Sequence, residues 1–253
     1  MQDFFIFAWN APKPPEGGFL RFAGTPQPPK GGENPLRGSK SPSGDLGANR
    51  GFRGKPITMT FDQIKSVLSN KTVGIAGCGG LGSNCSVALA RVGVGRLVIV
   101  DFDVVCEGNL NRQYFFRDQV GEKKTTALKE NIRRIDPSIL VEAVEMRLSP
   151  ANVAAVFSSC DVVVEAFDLA DQKEMLIETM LRFFPMKPLV VGLGMAGWGK
   201  SELIHLRKSD NLYICGDEVS EISDELPPLA PRVGMVANMQ ANMVLEILLG
   251  ISD

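Results

Sequence analysis

The chain has almost none of the residues that enzymes most often use for proton transfer and metal binding. It contains a single histidine, His205, so a histidine-based catalytic triad or a histidine-rich metal site has no material to be built from. His205 itself is expected to be an ordinary strand residue. The five cysteines, Cys78, Cys85, Cys106, Cys160 and Cys215, are odd in number, and no two share C-x-x-C spacing. Both facts argue against a disulfide framework and a structural zinc site. No apolar run reaches the roughly 18 residues that would span a bilayer. The first ten residues carry Asp3 and lack the basic region and cleavage site of a secretory signal, so a cytoplasmic protein is expected. The formal net charge of −2 supplies no global attraction to nucleic acid. Neither nucleic acid nor a membrane is expected as a partner.

What is present divides unevenly along the chain. Residues 1–58 are dense in glycine and proline and show no period of 2 or 3.6. Such a segment buries too little apolar surface to offset its ordering entropy. It reads as a disordered tail or as a segment foreign to the native protein, with Met59 the true start. The second reading is favoured because Met59 opens the first helix-like stretch. Residues 59–253 then form one domain, for which the 44% apolar content of the chain is ample.

From Thr60 the pattern alternates strand and helix. Phe61, Ile64, Val67 and Leu68 fit one helical face. Val73–Gly77 and Arg96–Asp101 read as buried strands, with a helical stretch, Leu81–Val92, between them. Lys123–Ile135 is an amphipathic helix stopped near Asp136-Pro137. Ile139–Val144, Asp161–Phe167 and Leu189–Gly192 are further strands. Ser149-Pro150 reads as a helix cap followed by proline at the first helical position. Gln172–Phe184 and Arg232–Leu249 are helices. Glu202–Arg207 and Leu212–Cys215 are strands with no helix between them. The repeating βαβ order predicts a mostly parallel α/β sheet with helices on both faces and an antiparallel C-terminal extension.

Gly77, Gly79 and Gly82 have G-x-G-x-x-G spacing, with Gly80 as an additional glycine, and the run sits between a strand and a helix. Glycines there allow a tight turn and close backbone approach to a phosphate, while the helix N-terminus offers free N–H groups. Asp101 ends the next strand, where an acid accepts hydrogen bonds from ribose hydroxyls. A glycine-rich turn that merely packs does not account for this acid. Together they predict a Rossmann-like nucleotide site but leave a dinucleotide and ATP both open.

The following segment favours ATP. Asp103, Asn109, Asn111, Arg112 and Gln113 are followed by Gly121-Glu122-Lys123-Lys124 at a helix start. A redox enzyme has little use for so many amides and cations beside its cofactor. A triphosphate does, because arginine grips phosphate oxygens bidentately and lysine adds a point charge. On spacing alone a solvated polar loop fits equally well.

Here the chain resembles the ThiF/MoeB/HesA group, prokaryotic relatives of ubiquitin-activating enzymes. The resemblance covers Val73 to Leu249. Its carriers are GCGGLGSN (77–84), LVIVDFDVVCEGNLNRQ (97–113), GEKK (121–124), VVVEAFD (162–168), and APRVG with QAN (230–242). The pieces GMAGWG, LYICGD and APRVG are most similar to the short ThiF-type enzymes of thiamine biosynthesis, whose carrier ThiS is a small ubiquitin-like protein ending in Gly-Gly. The resemblance implies that Gly77, Gly79, Gly80 and Gly82 approach the phosphates and that Asp101 binds ribose. It places Asp103, Asn109, Arg112, Gln113 and Lys124 in the ATP cluster, with Arg112 and Lys124 on phosphate, and it makes Asp168 the aspartate that supports Mg2+. Arg112, Lys124 and Asp168 would be the catalytic set. The implied partners are the sulfur carrier and a second copy of the chain in a homodimer.

The implied reaction joins a carrier carboxylate to the α-phosphorus of MgATP and releases pyrophosphate. A C-terminal carboxyl, with a pKa of roughly 3.3–3.7, is already ionised at neutral pH. It needs no general base, which suits a chain with one histidine.

Three departures from the family stand out. The paired C-x-x-C motifs of longer relatives are missing, so no zinc is expected. Cys215 fits the position of a thioester- or persulfide-forming cysteine poorly and reads as a strand residue. The residues before Thr60 match poorly the segment that supplies an arginine across a dimer, leaving Arg53 as a weak candidate. Separately, Gly194–Ser201 matches G-x-x-x-x-G-K-[ST], but that phosphate loop needs a helix directly after it, and ELIHLR reads as strand. Met235, Met239 and Met243 read as core packing. An adenylating relative acting on another carrier or on modified tRNA, an NAD-dependent oxidoreductase and a non-catalytic binding module remain as alternatives.

Overall fold

A computed structural model describes residues 58–251. The expectations for the N-terminal segment, Arg53 included, lie outside these residues apart from position 58. The first helix, α1 (Phe61–Leu68), begins with a reciprocal capping box in which Thr60 and Gln63 each accept from the other's backbone N–H.

Seven strands form one sheet in the order β3-β2-β1-β4-β5-β7-β6. They are β1 (Thr72–Ala76), β2 (Arg96–Asp101), β3 (Leu140–Glu145), β4 (Val162–Glu165), β5 (Leu189–Gly192), β6 (His205–Ser209) and β7 (Leu212–Gly216). All neighbouring pairs are parallel except β6 with β7. The β6–β7 hairpin is the antiparallel C-terminal extension that the two helix-free strands suggest. β7 runs parallel to β5, and the hairpin turns back at Asp210, which adopts φ 51°. The stretch at Ser201–Leu203 is a 3-10 turn rather than strand.

Side chains alternate between two cores. Val73, Ile75, Leu97, Ile99, Val162, Val164 and Val190 face a layer built on α2 (Gly80–Arg91), α3 (Lys124–Ile135) and α6 (Ala230–Leu248). Val98, Val100, Val163, Leu189 and Val191 face the opposite layer, built on α4 (Val153–Phe157) and α5 (Ala170–Phe183). Burial on both faces is why these strands read as continuous apolar runs. α4 starts three residues later than Ser149-Pro150 suggests. The Asn152 side chain accepts from the Ser149 N–H, and the Ser149 carbonyl accepts from the Asn152 and Val153 N–H groups, forming a turn before the helix. Met243 is buried as expected, whereas Met235 is 41% exposed. Among the described residues no helix is long and apolar enough to cross a membrane.

The chain winds from β1 out to β3, then returns to β4 on the other side of β1. The crevice beyond the C-terminal ends of β1 and β4 is thus a topological switch point, where open α/β sheets bind ligands.

Candidate active site

The glycine turn occupies this crevice. Gly77 leaves β1 with φ 98°, and a Cβ there would lie 2.8 Å from the carbonyl oxygen of Ala166 on the segment after β4. A Cβ on Gly82 would overlap the Gly77 carbonyl oxygen. Only glycine at both positions lets α2 start this close to β1 and β4. The N-cap of α2 is Gly79, with no side-chain cap and no acidic residue in the first turn. The positive end of the helix dipole is left uncompensated by protein.

Asp101 holds the turn in place. Its Oδ2 accepts from the Cys78 N–H at 2.6 Å, and its Oδ1 accepts from the Asp103 N–H at 2.8 Å. The acid at the end of β2 therefore orders both the glycine turn and its own loop, with lone pairs to spare for a ribose.

Beyond Asp103 the loop doubles back. The Val105 N–H donates to the Glu122 carbonyl and the Gly121 N–H to the Val105 carbonyl, each at 2.8 Å, and the Lys124 N–H donates to the Asp103 carbonyl at 3.0 Å. This brings the Lys124 ammonium to 2.8 Å from Asp103 Oδ2, with the lysine side chain 8% exposed and the aspartate half-exposed. Asp101 links this pair to the glycine turn, since it accepts from both the Asp103 and the Cys78 N–H groups. Burial and the neighbouring Asp101 push the Cys78 thiol pKa well up, and Lys124 acts against them. Asp103, expected as a nucleotide contact, also serves as the lysine's partner.

Arg112 lies over the start of α2, its Cγ 3.6 Å from where a Gly80 Cβ would stand. Its guanidinium donates to the Gly108 carbonyl at 3.1 Å and to Asn111 Oδ1 at 2.8 Å. Gln113 is buried beside Gly79, its Nε2 3.8 Å from the Gly79 Cβ position, and its Oε1 is a buried acceptor without a partner among the described residues. Asn109 is engaged locally, with Oδ1 accepting from the Cys106 N–H at 3.0 Å. Arg112 and Gln113 thus lie against the glycine turn, Lys124 is linked to it through Asp103 and Asp101, and Asn109 shapes the loop that carries Arg112 and Gln113.

Asp168 is exposed in the link between β4 and α5. That link is anchored by Glu165, which is wholly buried. Glu165 accepts from the Phe167 N–H at 2.7 Å, and both of its carboxylate oxygens accept from the Lys173 ammonium, at 3.0 and 2.9 Å; Lys173 also donates to the Gly192 carbonyl at 2.8 Å. Burial raises the Glu165 pKa, and Lys173 opposes the shift. Among the described residues no group of three or more histidine, cysteine or acidic side chains gathers as a metal cage. A lone exposed carboxylate fits a magnesium ion that keeps most of its ligands from phosphate and water.

The remaining candidate motifs are structural. Lys200 has φ 49°, and only a three-residue 3-10 turn follows it. No helix N-terminus stands behind Gly194–Ser201 to cradle phosphate. The loop is instead tied down by buried Arg232, which donates to the Gly199 and Lys200 carbonyls and to Asp217 Oδ2 at 2.5 Å. Cys215 is fully buried in β7, and burial raises its pKa to about 12. Cys85 and Cys160 are also buried with raised pKa values, and Cys106 is exposed. His205 opens β6, its ring bonded to the Leu203 carbonyl and to Glu218. A groove of about 750 Å³ lies toward the other end of α2, lined by apolar groups such as Val92, Ile204, Met239 and Leu245. Its lining does not suit a triphosphate.

The ThiF family model matches residues 57–253. The chain is 30% identical over 191 residues to the molybdopterin-synthase adenylyltransferase of Escherichia coli (strain K12), covering 74% of this chain and 76% of that one. It is 36% identical over 185 residues to the SAMP-activating enzyme E1 of Haloferax volcanii, covering 73% of this chain and 63% of the relative. Among solved structures, E. coli tRNA N6-threonylcarbamoyladenosine dehydratase in complex with AMP shares the fold, with a TM-score of 0.68 at 23% identity over 74% of this chain and 90% of that one. The chain belongs to the ThiF family and is an enzyme of its adenylyltransferase type.

Proposed function

We propose that this enzyme adenylates the C-terminal glycine carboxylate of a small ubiquitin-like sulfur carrier of the ThiS type, consuming ATP and releasing pyrophosphate. The observation that carries the reading is an uncapped helix N-terminus at the switch point, with the Arg112 stem packed over Gly80 and the Lys124–Asp103 pair linked to the turn through Asp101. A helix N-terminus and two cations, one of them paired with Asp103, belong to the segments that meet at this turn. That arrangement suits a polyanion far better than a nicotinamide, whose chemistry calls for a dry apolar face. The adenylyltransferase names of the relatives, and the AMP held by the structural neighbour, support ATP as the substrate.

In this reading a carboxylate oxygen of the carrier forms a bond to the α-phosphorus while the bond from that phosphorus to the bridging oxygen breaks. Two anions must meet and a third must leave, so charge neutralisation and placement make up most of the catalysis. Arg112 holds phosphate oxygens, and Lys124 exchanges part of its bond to Asp103 for phosphate. Asp101 receives the ribose hydroxyls. Asp168 would hold the magnesium ion that accompanies the nucleotide and offsets charge on the leaving pyrophosphate. A homodimer belongs to the same reading, and sedimentation equilibrium checks it.

The deciding experiment mixes the protein with MgATP and a Gly-Gly-ended carrier, then measures the carrier's mass. A gain of one adenylyl group is expected. An unchanged mass with carriers of the ThiS, molybdopterin-synthase and archaeal types, together with ATP consumption on threonylcarbamoyl-modified tRNA, would replace this reading with the tRNA one.

A further inference from the structure

Two adjacent side chains on the first turn of α2 bind the glycine turn and the Arg112 segment at the same time. Ser83 Oγ donates to the Gly79 carbonyl at 2.6 Å and accepts from the Tyr114 N–H at 2.9 Å. Asn84 Nδ2 donates one hydrogen to the Gly80 carbonyl at 2.7 Å and the other to the Arg112 carbonyl at 2.9 Å. In both cases half of the bonding is the familiar return to the carbonyl four residues back in a helix. The other half reaches across 28 or 31 residues of sequence to the loop that carries the cations.

We infer that Asn84 is a positioning residue for adenylation: its amide sets the Arg112 guanidinium over the phosphate site by clamping the Arg112 backbone to the helix N-terminus. The inference rests on the proposed reaction at this site. Arg112 needs such a clamp because its backbone lies in a loop, between a 3-10 turn at Glu107–Asn109 and another at Arg117–Gln119. Among the described residues its guanidinium bonds only to neighbours in that same loop, Gly108 and Asn111. Those bonds fix the side chain relative to the loop, not relative to the glycine turn. Asn84 supplies the missing link at the backbone of Arg112 itself, and Ser83 does so two residues further on. An amide suits this job because two carbonyls face it. A carboxylate at position 84 would place acceptor against acceptor on both sides.

The test separates placement from folding and from the reaction. Hydrogen exchange of the apo protein should show faster exchange across residues 109–114 in Asn84→Ala, with the β1, β2 and β4 amides unchanged. Carrier-dependent ATP–pyrophosphate exchange should fall about tenfold in kcat, the equivalent of one hydrogen bond. Asn84→Asp should fall further. In an Arg112→Ala background the same Asn84→Ala change should cost nothing more, because its effect passes through the arginine. Unchanged exchange of 109–114 overturns the inference whatever the activity. So does an equal loss from Asn84→Ala with and without Arg112. Full pyrophosphate exchange in Arg112→Ala alone overturns the site reading first, and the clamp's purpose with it.

Discussion

The Lys124 ammonium sits 2.8 Å from Asp103 Oδ2, with the lysine nearly buried and the aspartate half-exposed. The cation is held with its charge met by Asp103, and in the proposed reaction a phosphate competes with that carboxylate for it. Lys124→Ala is expected to lower carrier-dependent ATP–pyrophosphate exchange by about 10²–10³-fold, the usual cost of losing one preorganised charge. Asp103→Asn keeps the lysine and should lose less. Equal losses in the two variants would place the essential charge on Asp103.

Gly82 faces the Gly77 carbonyl with no room for a methyl group. Gly82→Ala should destabilise the protein by about 1–3 kcal/mol, the range for overpacking a tight contact. It should also weaken ATP binding, because the turn has to open. Urea unfolding and nucleotide titration of the same sample measure both. A variant that retains wild-type stability would mean that α2 can move away from β1 freely.

The buried pair of Glu165 and Lys173 ties the ends of β4 and β5 to α5. Lys173→Met leaves a buried carboxylate without its cation, and a loss of about 3–5 kcal/mol is expected at neutral pH. The pH dependence has a fixed sign. Burial holds the folded-state pKa of Glu165 above its unfolded value, and removing Lys173 raises it further. The folded state then binds more protons than the unfolded state above the ordinary glutamate pKa, so the variant loses stability as pH rises through that window. Denaturant titrations at pH 4.5 and pH 7.5 should show the larger deficit at the higher pH.

Asp136 stops α3 and accepts from the side chain and backbone N–H of Ser138 and from Lys65. These bonds, Ser138 foremost, lower its pKa to about 2. Its contribution to stability is present above the ordinary aspartate range and fades as pH falls toward 2. Carbon-detected NMR titration should place Asp136 well below the other aspartates, and Ser138→Ala should move it back up.

Most of the frame could be read from the residues. β1, β2, β4 and β5 are short runs of valine, isoleucine and leucine bounded by turn residues, and both of their faces are covered. The glycine spacing with Asp101 located the crevice, because that pairing depends on local geometry. What could not be read depends on contacts between distant residues. Asp103 looked like one more polar group near a nucleotide, and only the fold-back of residues 121–124 makes it the partner of Lys124. Ser83 and Asn84 looked like ordinary helix residues, and their second bonds exist only because the 112–114 segment crosses the helix start. Ser149-Pro150 carried a sound helix-start signal, but the Asn152 side chain captured the Ser149 N–H and delayed the helix.

The cysteine inventory has a practical consequence. Four thiols are sealed in the interior and kept protonated, while Cys106 alone is exposed, on the loop that leads into the Arg112 segment. A maleimide dye added to the native chain should therefore attach once, at a known place beside the crevice. Fluorescence from that single label would follow the loop as nucleotide enters, with no engineered residue required.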